Sequence, residues 1–530
     1  MIRRATVDDA IPWIDLLIAS IGEGYVSREV YDPVWAASQF AEESNCETWV
    51  LEASGALIGS VTFLPPNWPL LNPICNLGRL LLRPEAHATG AARALLGRVC
   101  AVASERGQTV VSRVSGADNP QQLLLEQLGF ICCGYQPFKH LLELRSGYLF
   151  YVLPCARVLG LRQRLSGSVP QATELAAAVL GVMGLPAPEP LRDGATGYPL
   201  RSQELHTEEI GFGDYQFCKS QLRQQNPLPE VSGGFHLGLG LMRVESGSTI
   251  RALLGRTGER TLAGLAYCFD EHDRCVRIVD TFCVDEVSLG AVCQSLAKIS
   301  QDQLQATYVE MDVLASATRL LKTAEQLGFV PVAYLPAFFS RSGAVDDVVK
   351  LVKLNLPYSF EGGEFTRQAR SVAEVVDRNF DEQKFGVAII SLLRGLPLFA
   401  GLGDGEIRKM AHLFEQRLYR PDEIVFQKGA AGDEVFVVMR GQVEIRLDEK
   451  SHAVATMTEG KIFGELAFLD GLPRIAWTVA TQPSILLVVH RDAFNRLIAR
   501  EPHLGMLVIR NIALDLSQKL RHASSALSRR

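Results

Sequence analysis

Two short stretches of this 530-residue chain carry side chains at spacings that can hold a phosphate ester. The first is Phe463-Gly464-Glu465-Leu466-Ala467, followed by Pro473-Arg474-Ile475-Ala476. Gly464 frees the backbone at the start of a short helix, whose N–H groups can then face an anion. Arg474 supplies a charge-assisted, bidentate contact to phosphate oxygens. Glu465 supplies a carboxylate for a hydroxyl, and Ala476 is small enough for backbone to approach a ligand. The second stretch, Leu80 to Leu96, leaves an apolar strand pattern at Leu82-Arg83-Pro84. It passes through His87-Ala88-Thr89-Gly90-Ala91-Ala92 into a helical pattern. Small residues at Gly90 and Ala92 leave backbone N–H groups at the helix start open to an anion.

Length and composition say what must position them. A chain of this length exceeds one hydrophobic core, and 47% apolar with 21% charged residues is ordinary for a globular protein. A net charge of −6 provides no basic field, which argues against nucleic acid as the main partner. The eleven cysteines form no CxxC pair, so reduced, buried thiols are expected and no metal site. Met1-Ile2-Arg3-Arg4 runs straight into a strand pattern, and the most apolar stretch, Leu175 to Leu185, is too short to span a bilayer. No membrane association and a cytoplasmic location are therefore expected.

Strand and helix patterns alternate through the first part of the chain. Ile2 to Ala5 reads as a strand and Asp8 to Ile21 as a helix. Thr48 to Glu52 and Leu57 to Leu64 flank a hairpin turn, and Leu77 to Leu82 is a further strand. A helix is predicted over 91–105, a strand over Thr109 to Val114, a helix over Gln121 to Leu128, and a β segment from Gly129-Phe130. The order then recurs: Glu126-Gln127-Leu128-Gly129-Phe130 returns as Glu325-Gln326-Leu327-Gly328-Phe329. The strand Tyr308 to Val313 and the helix Leu289 to Gln301 answer their counterparts, so the unit is duplicated. Gly184 to Tyr198 reads as a linker, Leu237 to Gly240 as a strand-like run, and Arg367 to Leu393 as a helix.

The first of these units resembles the GNAT family of N-acetyltransferases. That resemblance implies that Leu82, His87, Ala88, Thr89, Gly90, Ala91 and Ala92 bind acetyl-CoA, with Asn119 near its arm. His87 stands where the family has Arg or Gln. The family's general acid, a Tyr in the helix before Gly-Phe, is replaced by Leu125, and the strand from Asn76 to Leu82 carries none of the family's Glu. Tyr135 is the catalytic residue that can substitute, and Glu43, Glu47 and Glu52 are carboxylates within reach of the cleft. The second copy lacks the glycine loop and has Asp285 and Glu286 in its place, so a structural or substrate-shaping role is expected of it.

From Leu398 onward the chain resembles cyclic-nucleotide-binding domains. The resemblance implies a cAMP-type ligand held by Phe463, Gly464, Glu465, Leu466, Arg474, Ile475 and Ala476, with Glu465 on the ribose hydroxyl. Ile475 replaces a smaller or hydroxylated residue, which disfavours guanine-selective contacts. Arg491 to Leu520 reads as helical, and no helix-turn-helix follows. The expected fold class is α/β, two GNAT-like mixed-sheet units over 1–155 and 200–355. A helical linker over 365–394 and a mainly-β jelly-roll domain with flanking helices over 395–520 follow. The expected function is a cyclic-nucleotide-regulated N-acetyltransferase, allosterically controlled, acting on an amine such as a protein lysine. The alternative is a non-enzymatic sensor whose GNAT-like units are inactive binding modules.

Overall fold

A computed structural model describes residues 1–23, 28–42, 44, 46–64, 74–141, 145–191, 197–200, 205–225, 250–284, 286–341, 344–356, 360, 363–402, 404–411, 413–449 and 451–527. The run Leu237–Gly240 and the carboxylates Glu43 and Asp285 lie outside the described residues. Two compact units are present, Met1–Phe380 and Asp381–Arg530.

The first unit contains both copies. Copy 1 supplies β1 (Ile2–Arg4), β2 (Glu47–Ala53), β3 (Ala56–Leu64), β4 (Ile74–Leu82), β5 (Thr109–Ser115), β6 (Ile131–Leu141) and β7 (Arg145–Leu153). Copy 2 supplies β8 (His206–Gly211), β9 (Ile250–Thr257), β10 (Arg260–Asp270), β11 (Cys275–Cys283), β12 (Tyr308–Leu314), β13 (Val330–Arg341) and β14 (Ala344–Leu354). All join one 14-stranded sheet in the order β1-β2-β3-β4-β5-β7-β6-β13-β14-β12-β11-β10-β9-β8, which reads the same from either end. The duplication is thus a pseudo-two-fold axis between β6 and β13. At that seam Gly134 pairs with Ala333. A Cβ on Gly134 would lie 2.2 Å from the Ala333 Cβ and 2.6 Å from the Val332 carbonyl, so only glycine fits.

The helices repeat likewise. Copy 1 has α1 (Ala10–Ile21), α2 (Pro33–Phe40), α3 (Ala91–Glu105) and α4 (Asn119–Gln127), then α5 (Pro170–Val182). Copy 2 has α6 (Phe212–Gln225), α7 (Glu286–Asp302) and α8 (Thr318–Gln326), then α9 (Arg367–Gly395). The recurrent Leu-Gly-Phe has a local cause. Gly129 and Gly328 both stand at φ 91°, the left-handed conformation that ends α4 and α8. The helix after each copy packs on the other copy. Ser168, just before α5, donates to the Ala315 carbonyl at 3.0 Å, and Gln368 of α9 accepts the Cys132 N–H at 2.8 Å. One apolar core runs through both copies and includes Ala369, Val372 and Val376 of α9.

The second unit runs from the last turns of α9 into α10 (Asp404–Ala411). Its strands are β15 (Glu415–Tyr419), β16 (Ile424–Phe426), β17 (Glu434–Arg440), β18 (Gln442–Arg446), β19 (Ala453–Thr458), β20 (Ile462–Phe463), β21 (Trp477–Ala480) and β22 (Ser484–His490). They form two four-stranded sheets, β15-β22-β17-β20 and β16-β21-β18-β19, the paired sheets of a jelly roll. The short α11 (Glu465–Asp470) sits between β20 and β21, and α12 (Arg491–Arg500) and α13 (Pro502–Leu527) close the unit. Ile389 and Leu393, from the last turns of α9, are in the core that α12 and α13 share with the barrel.

Candidate functional site

In copy 1, β4 and β5 run parallel only from Ile74/Thr109 to Leu77/Ser112, and then diverge. Just past that point β4 is bulged. Ser60 faces Leu81 and Thr62 faces Gly78, so Arg79 and Leu80 both oppose Val61. Arg79 takes φ 52° and lies 5.1 Å from the Trp35 ring. A strand that stops pairing and bends open exposes its own N–H and C=O groups to a ligand. The loop after it ends at Gly90, φ 75°, with nothing within 4 Å of where a Cβ would stand. The His87 and Thr89 N–H groups are spent on Pro84 and Ala86 carbonyls, and the Thr89 hydroxyl also donates to Ala86. Among the described residues the N–H groups of Ala88, Gly90, Ala91 and Ala92 have no backbone acceptor, and they lie at the start of the 15-residue α3. Such N–H groups at a helix start could cradle an anion.

The other expected residues are placed differently. The Asn119 amide donates to the Glu364 carbonyl at 3.0 Å, and Tyr135 packs edge-on against Phe365 at 5.5 Å. Both therefore meet the segment leading into α9. Leu82 is buried against Gly59. Leu125 is fully buried in the core, and Glu47 and Glu52 are tied to Arg106 at 2.9 Å and Arg3 at 3.1 Å.

Copy 2 keeps the divergence without the cradle. β11 and β12 pair only through Arg277/Glu310, with a bulge at Val279 between Asp280 and Ile278. A Cβ on Gly290 of α7 would meet the Pro199 carbonyl at 2.4 Å, and the Tyr198 N–H donates to Thr323 of α8 at 2.7 Å. Chain segment 197–200 thus lies between the two helices whose counterparts are α3 and α4. Where copy 1 has Val111, copy 2 has the buried Glu310, held by Lys139 at 2.7 Å and Arg277 at 2.9 Å. Burial would raise the Glu310 pKa, but Lys139, Lys350, Arg277 and Arg113 overcome this and hold it well below the usual carboxylate range.

In the second unit Gly464, φ 80°, opens α11, and Arg474 folds back onto it. Arg474 Nη1 donates to the Gly464 carbonyl and Nη2 to the Glu434 carbonyl, both at 2.9 Å. Its guanidinium lies 4.3 Å from the Phe426 ring and 5.6 Å from Phe436. Gly432 and Gly464 are required by this packing, since a Cβ on either would come within 2.3 Å or 2.8 Å of the Arg474 side chain. Arg474 is 4% exposed and its Nε is buried without a partner, while burial pulls its pKa below the ordinary guanidinium value. A desolvated cation with an unused donor fits a phosphate. Phe463 stacks on Phe436 at 5.2 Å and belongs to the barrel core, whereas Leu466 and Ile475 are exposed. Gly432, Phe426 and Phe436 were not legible as part of this site, because the contacts that recruit them span 40 or so residues of sequence.

Comparison with known proteins assigns both regions. The profile of the Acetyltransferase (GNAT) family matches residues 14–130, and that of the Cyclic nucleotide-binding domain matches residues 416–501. The chain carries a GNAT acetyltransferase domain and a cyclic nucleotide-binding domain. The cyclic AMP receptor protein of Thermus thermophilus is 33% identical over 138 residues, which are 26% of this chain and 62% of that protein. The cAMP-dependent protein kinase regulatory subunit of Yarrowia lipolytica is 33% identical over 106 residues, 20% of this chain and 28% of that one. The chain thus spans only part of the length of either relative. A solved cyclic nucleotide-binding domain from Methylobacillus flagellatus aligns with 27% of this chain and 82% of its own, at 26% identity and a TM-score of 0.25. Among the described residues no helix is long and apolar enough to cross a membrane.

Proposed function

We propose that the protein is an N-acetyltransferase under cyclic-nucleotide control, moving an acetyl group from acetyl-CoA to an amine such as a protein lysine. The observation that carries this reading is the open cradle at Ala88–Ala92 beside the diverging β4 and β5 of the GNAT domain. Its N–H groups would take the pyrophosphate, and the unpaired edge of β4 would align the thioester arm. In copy 2 the segment 197–200 stands in the corresponding gap, which favours one donor site per chain.

The effector would lie with its phosphate on Arg474 and the N–H groups of α11, and its ribose on Glu465. Ile475, exposed beside them, offers no hydroxyl to guanine, which favours cAMP. Control would pass along α9, whose residues up to Phe380 pack in the first unit and whose Ile389 and Leu393 pack in the second. Such control requires that the ligand bind one conformation more tightly than another.

Calorimetry of the full chain with acetyl-CoA tests the donor site, with one molecule bound per chain expected and no binding refuting it. Acetyl transfer to polylysine with and without cAMP then tests the control. The second reading, a non-enzymatic sensor, draws on the buried Leu125 and on the ion-paired Glu47 and Glu52. Binding of cAMP without any binding of acetyl-CoA would establish it.

A further inference from the structure

Acetyl transfer needs a base on the side of the thioester from which the amine arrives, and among the described residues the expected carboxylates Glu47 and Glu52 are held in ion pairs with Arg106 and Arg3. The structure offers another group. Tyr151 of β7 donates to Glu126 of α4 at 2.9 Å, so Tyr151 faces the helices that border the cradle. Its neighbours in the pleat, Tyr148 and Phe150, face the opposite way. Tyr148 pairs with Ser115, past Ser112, the last β5 residue to pair with β4, and so flanks the mouth of the divergence. Against the Tyr148 ring, 4.9 Å away and edge-on, stands His140 of β6.

His140 Nδ1 lies 2.9 Å from Asp273 Oδ2. Asp273 belongs to copy 2, in the turn between β10 and β11, and its side chain is 1% exposed against 25% for His140. An ionised carboxylate can only accept, so Nδ1 carries the proton and Nε2 presents its lone pair. Nε2 has no hydrogen-bond partner among the described residues. Directly across the hairpin, Ser146 pairs with His140, and its hydroxyl oxygen is buried without a partner. Unsatisfied polar atoms are rare in folded proteins, and here one of them sits across the hairpin from an oriented imidazole.

We propose that His140 is the base that takes the acceptor's proton, with Asp273 of the second copy as its positioning residue. This rests on the acetyl-transfer reading above and gives copy 2 a role, since it completes the site of copy 1. As the amine nitrogen bonds to the thioester carbon, its proton passes to Nε2. The C–S bond then breaks, and the proton returns to the departing thiolate to give the free thiol of CoA. The groups facing His140 are Asp273, Tyr148, Lys139 and Arg113. Burial, helped by the two cations and opposed by Asp273, brings the imidazole from 6.5 down to about 4, so Nε2 is unprotonated at neutral pH.

The test measures thiol release from acetyl-CoA by the full chain, with polylysine as acceptor, beside calorimetric acetyl-CoA binding. His140→Gln should lower kcat about 100-fold or more while acetyl-CoA affinity stays within about twofold. His140→Gly should regain part of its rate when imidazole is added, which a purely structural role would not allow. Asp273→Asn should lower kcat about tenfold and move the acidic limb of its pH profile to lower pH, because a charge that favours imidazolium is gone. A loosened structure would instead move that limb up toward 6.5. Wild-type kcat in His140→Gln, or a wild type that binds acetyl-CoA yet releases no thiol, overturns the proposal. Failure to bind acetyl-CoA at all overturns the donor-site reading instead.

Discussion

Arg474 donates to the carbonyl of Gly464 at 2.9 Å, so the cation of the cyclic nucleotide-binding domain is clamped to the residue that opens its cassette helix. The clamp holds the guanidinium against the Phe426 ring and near Phe436 with Nε unused. A lysine there would keep the charge but lose the fork and the flat ring contacts. Arg474→Lys should therefore weaken cAMP binding by about 10-fold or more, the scale of one charge-assisted hydrogen bond. Calorimetry of the full chain reads this directly.

Gly432 reports on the same packing from the other side. Its Cβ would stand 2.3 Å from Arg474 Nε. Gly432→Ala should push the guanidinium off its rings and lower both cAMP affinity and the melting temperature of the second unit. A thermal-shift assay with and without cAMP separates the two effects.

The seam between the copies depends on Gly134. Any side chain there meets Ala333 and the Val332 carbonyl. Gly134→Val should destabilise the first unit by about 1–3 kcal/mol, the usual range for overpacking, or prevent its assembly. Differential scanning calorimetry should show the first unit's transition shifted and the second unit's unchanged.

Glu310 holds Lys139 and Arg277 inside the first unit. Glu310→Ala leaves two buried cations without their carboxylate, and the first unit should lose about 3–5 kcal/mol in urea denaturation. Replacement by glutamine keeps the shape but not the charge, and most of the loss should remain.

His140 makes stability depend on pH with a definite sign. Its folded-state value, about 4, lies below the ordinary 6.5, because burial outweighs Asp273 while Lys139 and Arg113 add to the lowering and Tyr148 packs on the ring. Between these values the unfolded chain takes up the proton first. The contribution is complete above about 6.5 and is lost as pH falls toward 4, by up to about 3 kcal/mol. Urea midpoints measured across that window should fall more steeply for wild type than for His140→Gln.

Much of this was legible in the sequence wherever the physics is local. Gly129 and Gly328 announce the same helix ending in two places, and Gly90 and Gly464 announce two helix starts with positive φ. The domains matched at 14–130 and 416–501 fall where the motifs placed them. The strand after Gly129-Phe130 proved to be the hairpin β6–β7, since a single strand could not cover both β5 and the seam. Asn119, expected near the CoA arm, binds the Glu364 carbonyl, a partner that only the returning α9 segment brings near.

By itself the sequence determined the elements, the duplication and the two glycine-led helix starts, because turns, caps and periodicity depend on neighbours along the chain. Only the tertiary structure decided that the copies share one sheet through Gly134, that segment 197–200 lies between α7 and α8, and that Asp273 meets His140. Those contacts join residues far apart in the chain. Close packing across a pseudo-two-fold seam selects them, and no local spacing encodes it.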